Sequence, residues 1–400
     1  MKKVYFLIIL SVFFTGGCRA FDFGRAEINK ILFINAIGID KANDGSDDIV
    51  VTAVSKNIEA TTGERDGSSE SKTNANIFTS RGMTTFEAAR NLSAYSDKKV
   101  FYGHVEYILI GESAAKDNIL EYLDFFFRIF AARLNTKVLI VKDGSSHDII
   151  KNMADEDIFI GDLLKSLLDE KKELSISDEI QIIQIMNMFD NIYMSPYIPC
   201  IEMKSYENDN PNEKKSKDRL QLAGFALFKE EKMFEYITDK MARGFNWIRG
   251  KVDSGVIVVK DPSGESISLK IIDARTKIIP KLSKGNLDVT IEVYFFTNVS
   301  DIKGTKDIFK KETLDYLEEQ QENIIKKEIM EILSFAQKNN MDFFPISDEV
   351  YHKYPVFWEG IKDSWSEVFP KLKISVEAES VINRTYDIKE PIKSGYGVKE

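Results

Sequence analysis

The sequence predicts a mixed α/β protein of the α+β class, multi-domain, with mixed and antiparallel sheets each packed with helices. Three observations carry this. The chain has 400 residues, 43% of them hydrophobic, more than one core usually organises. Short runs rich in Ile and Val alternate with stretches whose apolar residues recur at helical spacing. After residue 219 the apolar runs come in pairs joined by turn-forming residues, which is the pattern of antiparallel hairpins.

The chain opens on Met1-Lys2-Lys3, then the apolar run Val4 to Phe14, then Thr15-Gly16-Gly17-Cys18. A basic start, a greasy middle and small residues at the end form a secretory signal, predicted over residues 1–17. The apolar run is eleven residues long. At about 1.5 Å per helical residue it is too short for a hydrocarbon core of about 30 Å. The small residues ending on cysteine resemble a lipobox, which implies that Cys18 is lipidated and becomes the first residue of the mature protein, carrying acyl chains such as palmitate. Two or more chains anchor firmly where one is marginal. An ordinary signal peptide followed by an incidental cysteine is the competing reading.

Strands are expected at Ile31 to Ile39 and Ile49 to Ser55, with turn chemistry at Asn43-Asp44-Gly45-Ser46 between them. Thr61 to Asn76 reads as an exposed loop. Thr84-Thr85-Phe86-Glu87 is a capping box, opening a helix toward Ser96. A strand follows at Val105 to Ile110. A second helix, from Ser113, carries Ile119, Leu120, Leu123, Phe126, Phe127 and Phe130 at helical spacing. Lys137 to Val141 is another strand, and Ser145 to Phe189 is mostly helical. Tyr206 to Arg219 holds charged residues, Asn and Pro with no large aliphatic, and is the best linker candidate. Beyond it, Leu222 to Phe228 with Met233 to Ile237, Val256 to Lys260 with Ser266 to Ile272, and Lys277 to Leu282 with Leu287 to Phe296 read as hairpins. A long amphipathic helix is expected from about Asp307 to Lys338, and a last strand from Leu372 to Arg384. Trp358 and Trp365, seven apart, are expected on one helix face. The resulting domains are 18–207 (N-terminal α/β), 219–274 (small, antiparallel) and 275–390 (C-terminal α/β with the long helix).

The formal net charge is −10. Losing Lys2 and Lys3 leaves 52 basic against 64 acidic groups, near −12. That balance argues against a nucleic-acid partner and against adhesion to anionic lipid by charge alone. The three histidines, His104, His147 and His352, show no metal-ligand spacing, and Cys200 is the only cysteine besides Cys18. Gly-x-Ser-x-Gly, Walker-type and Gly-x-Gly-x-x-Gly motifs are absent. Asp155-Glu156-Asp157 reads as a solvated helix end. No catalytic residue, metal site or cofactor is expected, and Cys200 is expected to be a small buried hydrophobe.

Several segments, taken in order, carry a resemblance. They are Ala36-Ile37-Gly38-Ile39-Asp40, Thr85 to Ser93 with Phe101-Tyr102-Gly103-His104, and Arg243-Gly244-Phe245-Asn246-Trp247 with Arg249-Gly250-Lys251-Val252. Lys277 to Lys281, Tyr351-His352-Lys353-Tyr354-Pro355 and Trp365 to Pro370 complete the set. Together they resemble the Ger(x)C family, the lipoprotein C subunits of bacterial spore germinant receptors. The Trp-Asp-Arg-Arg-Glu common after the family's lipid cysteine is replaced here by Arg19 to Glu27. The resemblance implies a non-enzymatic subunit needed for receptor assembly or signalling. It implies lipid attachment to the outer face of the inner spore membrane, beside membrane-spanning A and B subunits.

Arg243, Gly244, Trp247 and Lys251 are the candidate partner contacts, since charge, backbone freedom and an aromatic side chain mark interface hot spots. The competing reading for them is a tight turn capped by a core tryptophan. A solute-binding lipoprotein of a transporter is the alternative function, and it predicts two similar lobes with parallel sheets.

Overall fold

The computed structural model describes residues 30–57, 74–128, 133–206, 217–303 and 310–383. The expected signal segment, Cys18, most of the expected loop between 61 and 76, most of the expected linker between 206 and 219, and the tail from 384 lie outside them.

The first half runs β1 (Ile31–Phe33), β2 (Ala36–Lys41), β3 (Ile49–Lys56), β4 (Ala75–Gly82), α1 (Thr85–Asn91), β5 (Lys99–Phe101), β6 (Tyr107–Ile110), α2 (Glu112–Lys116), α3 (Ile119–Arg128) and β7 (Lys137–Val141). Then come α4 (Ser146–Asp155), α5 (Ile160–Asp169), α6 (Ile182–Asp190) and β8 (Tyr197–Tyr206). The second half runs β9 (Lys217–Lys229), β10 (Lys232–Ile237), α7 (Asp239–Ile248), β11 (Gly255–Lys260), β12 (Ser266–Ser283) and β13 (Asn286–Ile302). It closes with α8 (Lys311–Asn339), α9 (Ile346–Lys353), α10 (Pro355–Ile361), α11 (Trp365–Val368) and β14 (Lys373–Asn383).

Eight strands form one mixed sheet in the order β10-β9-β8-β7-β6-β2-β3-β4, parallel at its centre and antiparallel at both ends. The central strands are buried on both faces because helices cover both. Residues alternate between two cores: Ile108 and Ile110 face one, Tyr107 and Leu109 the other. Each fully buried aliphatic among them contributes roughly 1.5–3 kcal/mol. The first of these cores continues through Phe245 and Trp247 of α7 to Ile291 and Phe295 of β13, so the two sheets share one apolar cluster.

The second sheet has the order β11-β12-β13-β14, with only the β13–β14 pair parallel. Helix α8 lies against β14. A buried chain of hydrogen bonds joins Thr297, Gln321 and Ser380, at 2.9 and 2.8 Å. Carboxylates of α8 also accept from the outer backbone of β14, Glu322 from Ser380 N–H and Glu318 from Ile382 N–H. These bonds satisfy part of an otherwise open strand edge.

Several expectations are met closely. Thr84 caps α1, accepting from Glu87 N–H at 3.1 Å, and the Glu87 carboxylate accepts from Met83 N–H. The three hairpins form, except that Ser266 to Ile272 and Lys277 to Leu282 are one continuous strand with a bulge between Ile271 and Asp273.

Others differ. The helix expected from Ser113 is broken, because Asp117 adopts φ −86° and ψ −101° at the end of α2. Trp358 and Trp365 sit on separate short helices. Their rings lie 5.1 Å apart and both are buried. Residues 207–216 connect two strands, β8 and β9, that pair in one sheet, and residues 274 and 275 lie inside β12.

Candidate partner-contact site

Helix α7 carries the candidate contacts and sits where the two sheets meet. Its buried residues are Ala242, Gly244, Phe245, Asn246, Trp247 and Ile248. All five residues from Gly244 to Ile248 are buried, so the second half of α7 is an interior strut and not a surface amphipathic helix.

Arg243 forms a two-pronged pair with Glu328 of α8, its Nε donating to Oε2 at 2.9 Å and its Nη2 to Oε1. The side chains are 14% and 3% exposed. A third Arg243 nitrogen, Nη1, donates to Val256 O of β11 at 3.1 Å. One guanidinium thus ties α7 to both α8 and the second sheet, using the fork geometry that only Arg offers. Gly244 permits the approach: a Cβ there would come within 2.4 Å of Glu328 O. Trp247 is fully buried, with its ring 5.4 Å from that of Phe295. Phe245 contacts the rings of Tyr197, Phe225 and Phe343 at 4.8, 5.0 and 5.4 Å.

The helix ends in a Schellman motif. Gly250 takes φ +64°, its N–H donates to Trp247 O, and Lys251 N–H donates to Asn246 O. Arg249 lies over the rings of Tyr197 and Phe245 and bonds Asp178 at 2.7 Å. Asn246 donates to Ser175 O. The segment from Arg243 to Lys251 is thus a helix and its cap, not a tight turn. Arg243, Gly244 and Trp247 are spent on contacts inside the chain, and Lys251 alone among the four is exposed.

Two further joints account for other segments of the resemblance. Asp40 at the end of β2 accepts from Ser146 N–H, Ser146 Oγ–H and His147 N–H at 2.7, 2.7 and 2.9 Å. It caps α4 from across the sheet, while burial pushes its carboxyl above the ordinary range. Gly38 and Gly111 leave room, since a Cβ on either would strike Ser146 Oγ or Asp40 Oδ1. Asp342 accepts from Trp365 Nε1–H at 2.9 Å and from Phe344 N–H at 3.1 Å, and its backbone carbonyl accepts from Ser195 N–H. Burial raises its pKa to about 7. It borders a cleft of about 560 Å³ between the loop after α6 and the segment around α11, lined by Met188, Phe189, Tyr193 and Trp365.

Glu328, Ser146 and Asp342 were not singled out from the sequence. The only signal for Glu328 is a charged residue on the apolar face of the long helix. Cys200 is buried, with its thiol pushed well up by burial. Among the described residues no group of three or more His, Cys, Asp or Glu is placed to hold a metal. Among them also, no helix is long and apolar enough to cross a membrane. The two sheets differ in strand number and pairing, which does not favour a two-lobed solute-binding protein.

Among the described residues the fold is an eight-stranded and a four-stranded sheet that meet at a largely buried helix, with a two-stranded ribbon outside them. Residues 24–203 match the family described as Spore germination protein N-terminal domain, and residues 223–386 match Spore germination B3/GerAC like, C-terminal. The chain belongs to this GerAC-type family, the C-subunit family of germinant receptors, which is not a known enzyme family.

Spore germination protein KC of Bacillus subtilis (strain 168) is 25% identical over 97% of this chain and 96% of its own length. Spore germination protein B3 of the same organism is 21% identical over 92% of each. The crystal structure of the GerBC protein matches the fold with a TM-score of 0.53 at 18% identity, covering 86% of this chain and 96% of that one.

Proposed function

We propose that this chain is a lipid-anchored, non-enzymatic subunit of a nutrient germinant receptor, needed for receptor assembly or signalling. Cys18 holds it on the outer face of the inner spore membrane beside the membrane-spanning A and B subunits. The observation that carries the anchor is the basic, apolar and small-residue sequence ending at Cys18. It stands in a chain whose described residues include no spanning helix.

A tethered protein meets partners in the same membrane at high effective concentration, so modest contacts suffice. Lys251 is the exposed member of the α7 segment and is proposed to make such a contact. Arg243, Gly244 and Trp247 serve by holding the segment in place.

Cys18→Ala tests the anchor. The variant should leave the membrane fraction or keep its signal uncut. A variant that still partitions fully with membranes at the mass of the wild type would rule out lipidation at Cys18. Deleting the chain should abolish the spores' response to the nutrients of its own receptor and spare agents that act downstream. Co-purification of Lys251→Ala with the A and B subunits at wild-type yield would remove Lys251 from the contact surface.

A further inference from the structure

We propose that the outer face of the β1–β5 ribbon rests in the headgroup layer of the lipid bilayer to which Cys18 is tethered. The proposal rests on the anchoring reading above and adds the face by which the globule meets the membrane.

The ribbon is a parallel pair outside both large sheets. Its register sets Ile31 opposite Lys99, Leu32 opposite Val100 and Phe33 opposite Phe101. Leu32 and Val100 turn inward and join the core. Strand alternation therefore puts Ile31, Phe33, Lys99 and Phe101 on the other face. There Phe33, Phe101 and His104 form a ring cluster, with centroids 5.0 to 5.9 Å apart. Phe101 is 36% exposed, and Tyr95, on the turn that leads into β5, is 69% exposed.

Aromatic rings flanked by lysines suit the membrane interface. The rings sit at headgroup depth, and the lysine stems lie along apolar surface while their charges stay in water. Lys98 and Lys99 outnumber Asp97 here, a locally positive edge on a chain of net charge −10. That sign complements anionic headgroups.

Sequence distance supplies the second argument. Ile31, which opens the ribbon, is thirteen residues from Cys18. Even fully extended, that many residues span only about 45 Å. The ribbon is therefore the first described element after the anchor, and the tether keeps it within one protein diameter of the lipid.

Tryptophan fluorescence tests the placement. The native Trp247, Trp358 and Trp365 are all buried and give a constant background. Phe101→Trp is prepared in the full lipidated chain, alongside Tyr294→Trp on the second sheet, where Tyr294 is 37% exposed. Both are reconstituted into vesicles of anionic and zwitterionic phospholipid brominated near the top of the acyl chains, and flotation scores attachment. The expected result is a blue shift and loss of emission for Phe101→Trp, with Tyr294→Trp unchanged. A chain that floats with the vesicles but shows no more quenching at 101 than at 294 overturns the ribbon's role and leaves the anchor standing. A chain that fails to float overturns both. Phe101→Cys gives a further outcome, because Cys200 is buried. Efficient crosslinking of that thiol to a membrane protein in spore membranes would put protein, not lipid, on this face and overturn the proposal.

Discussion

Removing the guanidinium of Arg243 should destabilise the fold by about 3–5 kcal/mol, because it strands a charge in the interior. Glu328 is buried, and in the native protein both of its oxygens accept from Arg243. Arg243→Ala leaves both without that donor, beside the backbone of α7 and the apolar surface of α8. The loss also releases the bond to Val256 O that holds β11.

Replacing both partners by apolar residues of similar volume, Arg243→Met with Glu328→Leu, should recover most of the stability. No buried charge then remains, and such exchanges are often neutral. Urea denaturation followed by emission of the three buried tryptophans reads the difference. With a slope of about 2–3 kcal/mol per molar urea, the single variant should lose about 1–2 M in midpoint. A midpoint within about 0.2 M of wild type would refute the reasoning, for a cost of about 0.5 kcal/mol belongs to exposed pairs. It would return Arg243 to the surface role that the sequence alone suggests. If the single and double variants fell equally, the cost would lie in lost packing and not in the stranded carboxylate.

Gly244→Ala should cost about 1–3 kcal/mol by overpacking against the α8 backbone, whereas Gly360→Ala, with open space around it, should leave the melting temperature unchanged or slightly higher. The raised pKa of Asp342, about 7 against an ordinary aspartate value of about 4, means that the native state holds this proton more tightly than the unfolded chain does. Its stabilising contribution is full below about pH 4 and is lost as pH rises through 7, a change on the order of 4 kcal/mol. Denaturation of wild type and Asp342→Asn from pH 4 to 8 should show their stability difference drifting by kilocalories over that window, and a constant difference would count against it. Cys200 should resist a thiol reagent in the native protein and react fully in urea, since its thiol is buried and its pKa raised; rapid native labelling would contradict the burial.

Local chemistry was legible wherever its partners lie close in sequence. The Thr84 box needs only Glu87 three residues on, and it forms. The hairpins need only two apolar runs and a turn. The turn residues Glu230, Gly264, Lys284 and Gly285 do take positive φ, as tight reversals demand. The long helix is readable from a stripe of Leu and Ile that repeats within a few residues, and it appears at Lys311–Asn339. Even Pro280 is compatible with its strand, because the part of β12 beyond its pairing with β11 has a neighbour on one side only.

The joints were not legible, because each is made by residues far apart in the chain. Arg243 and Glu328 are 85 positions apart, Asp40 and Ser146 are 106, and Asp342 and Trp365 are 23. A charged residue near an aromatic reads as an interface hot spot until its partner is known, and only folding shows that the partner belongs to the same chain. The polar stretch after Tyr206 reads as a break between domains because it has no apolar residue to bury. Backbone pairing ignores that composition and sets β8 beside β9 across it. By itself the sequence determined the likeness to its family, the class of fold and the elements whose periodicity is local. Only the tertiary structure decided which strands share a sheet and which charges are buried, because both depend on contacts between distant segments that no local pattern encodes.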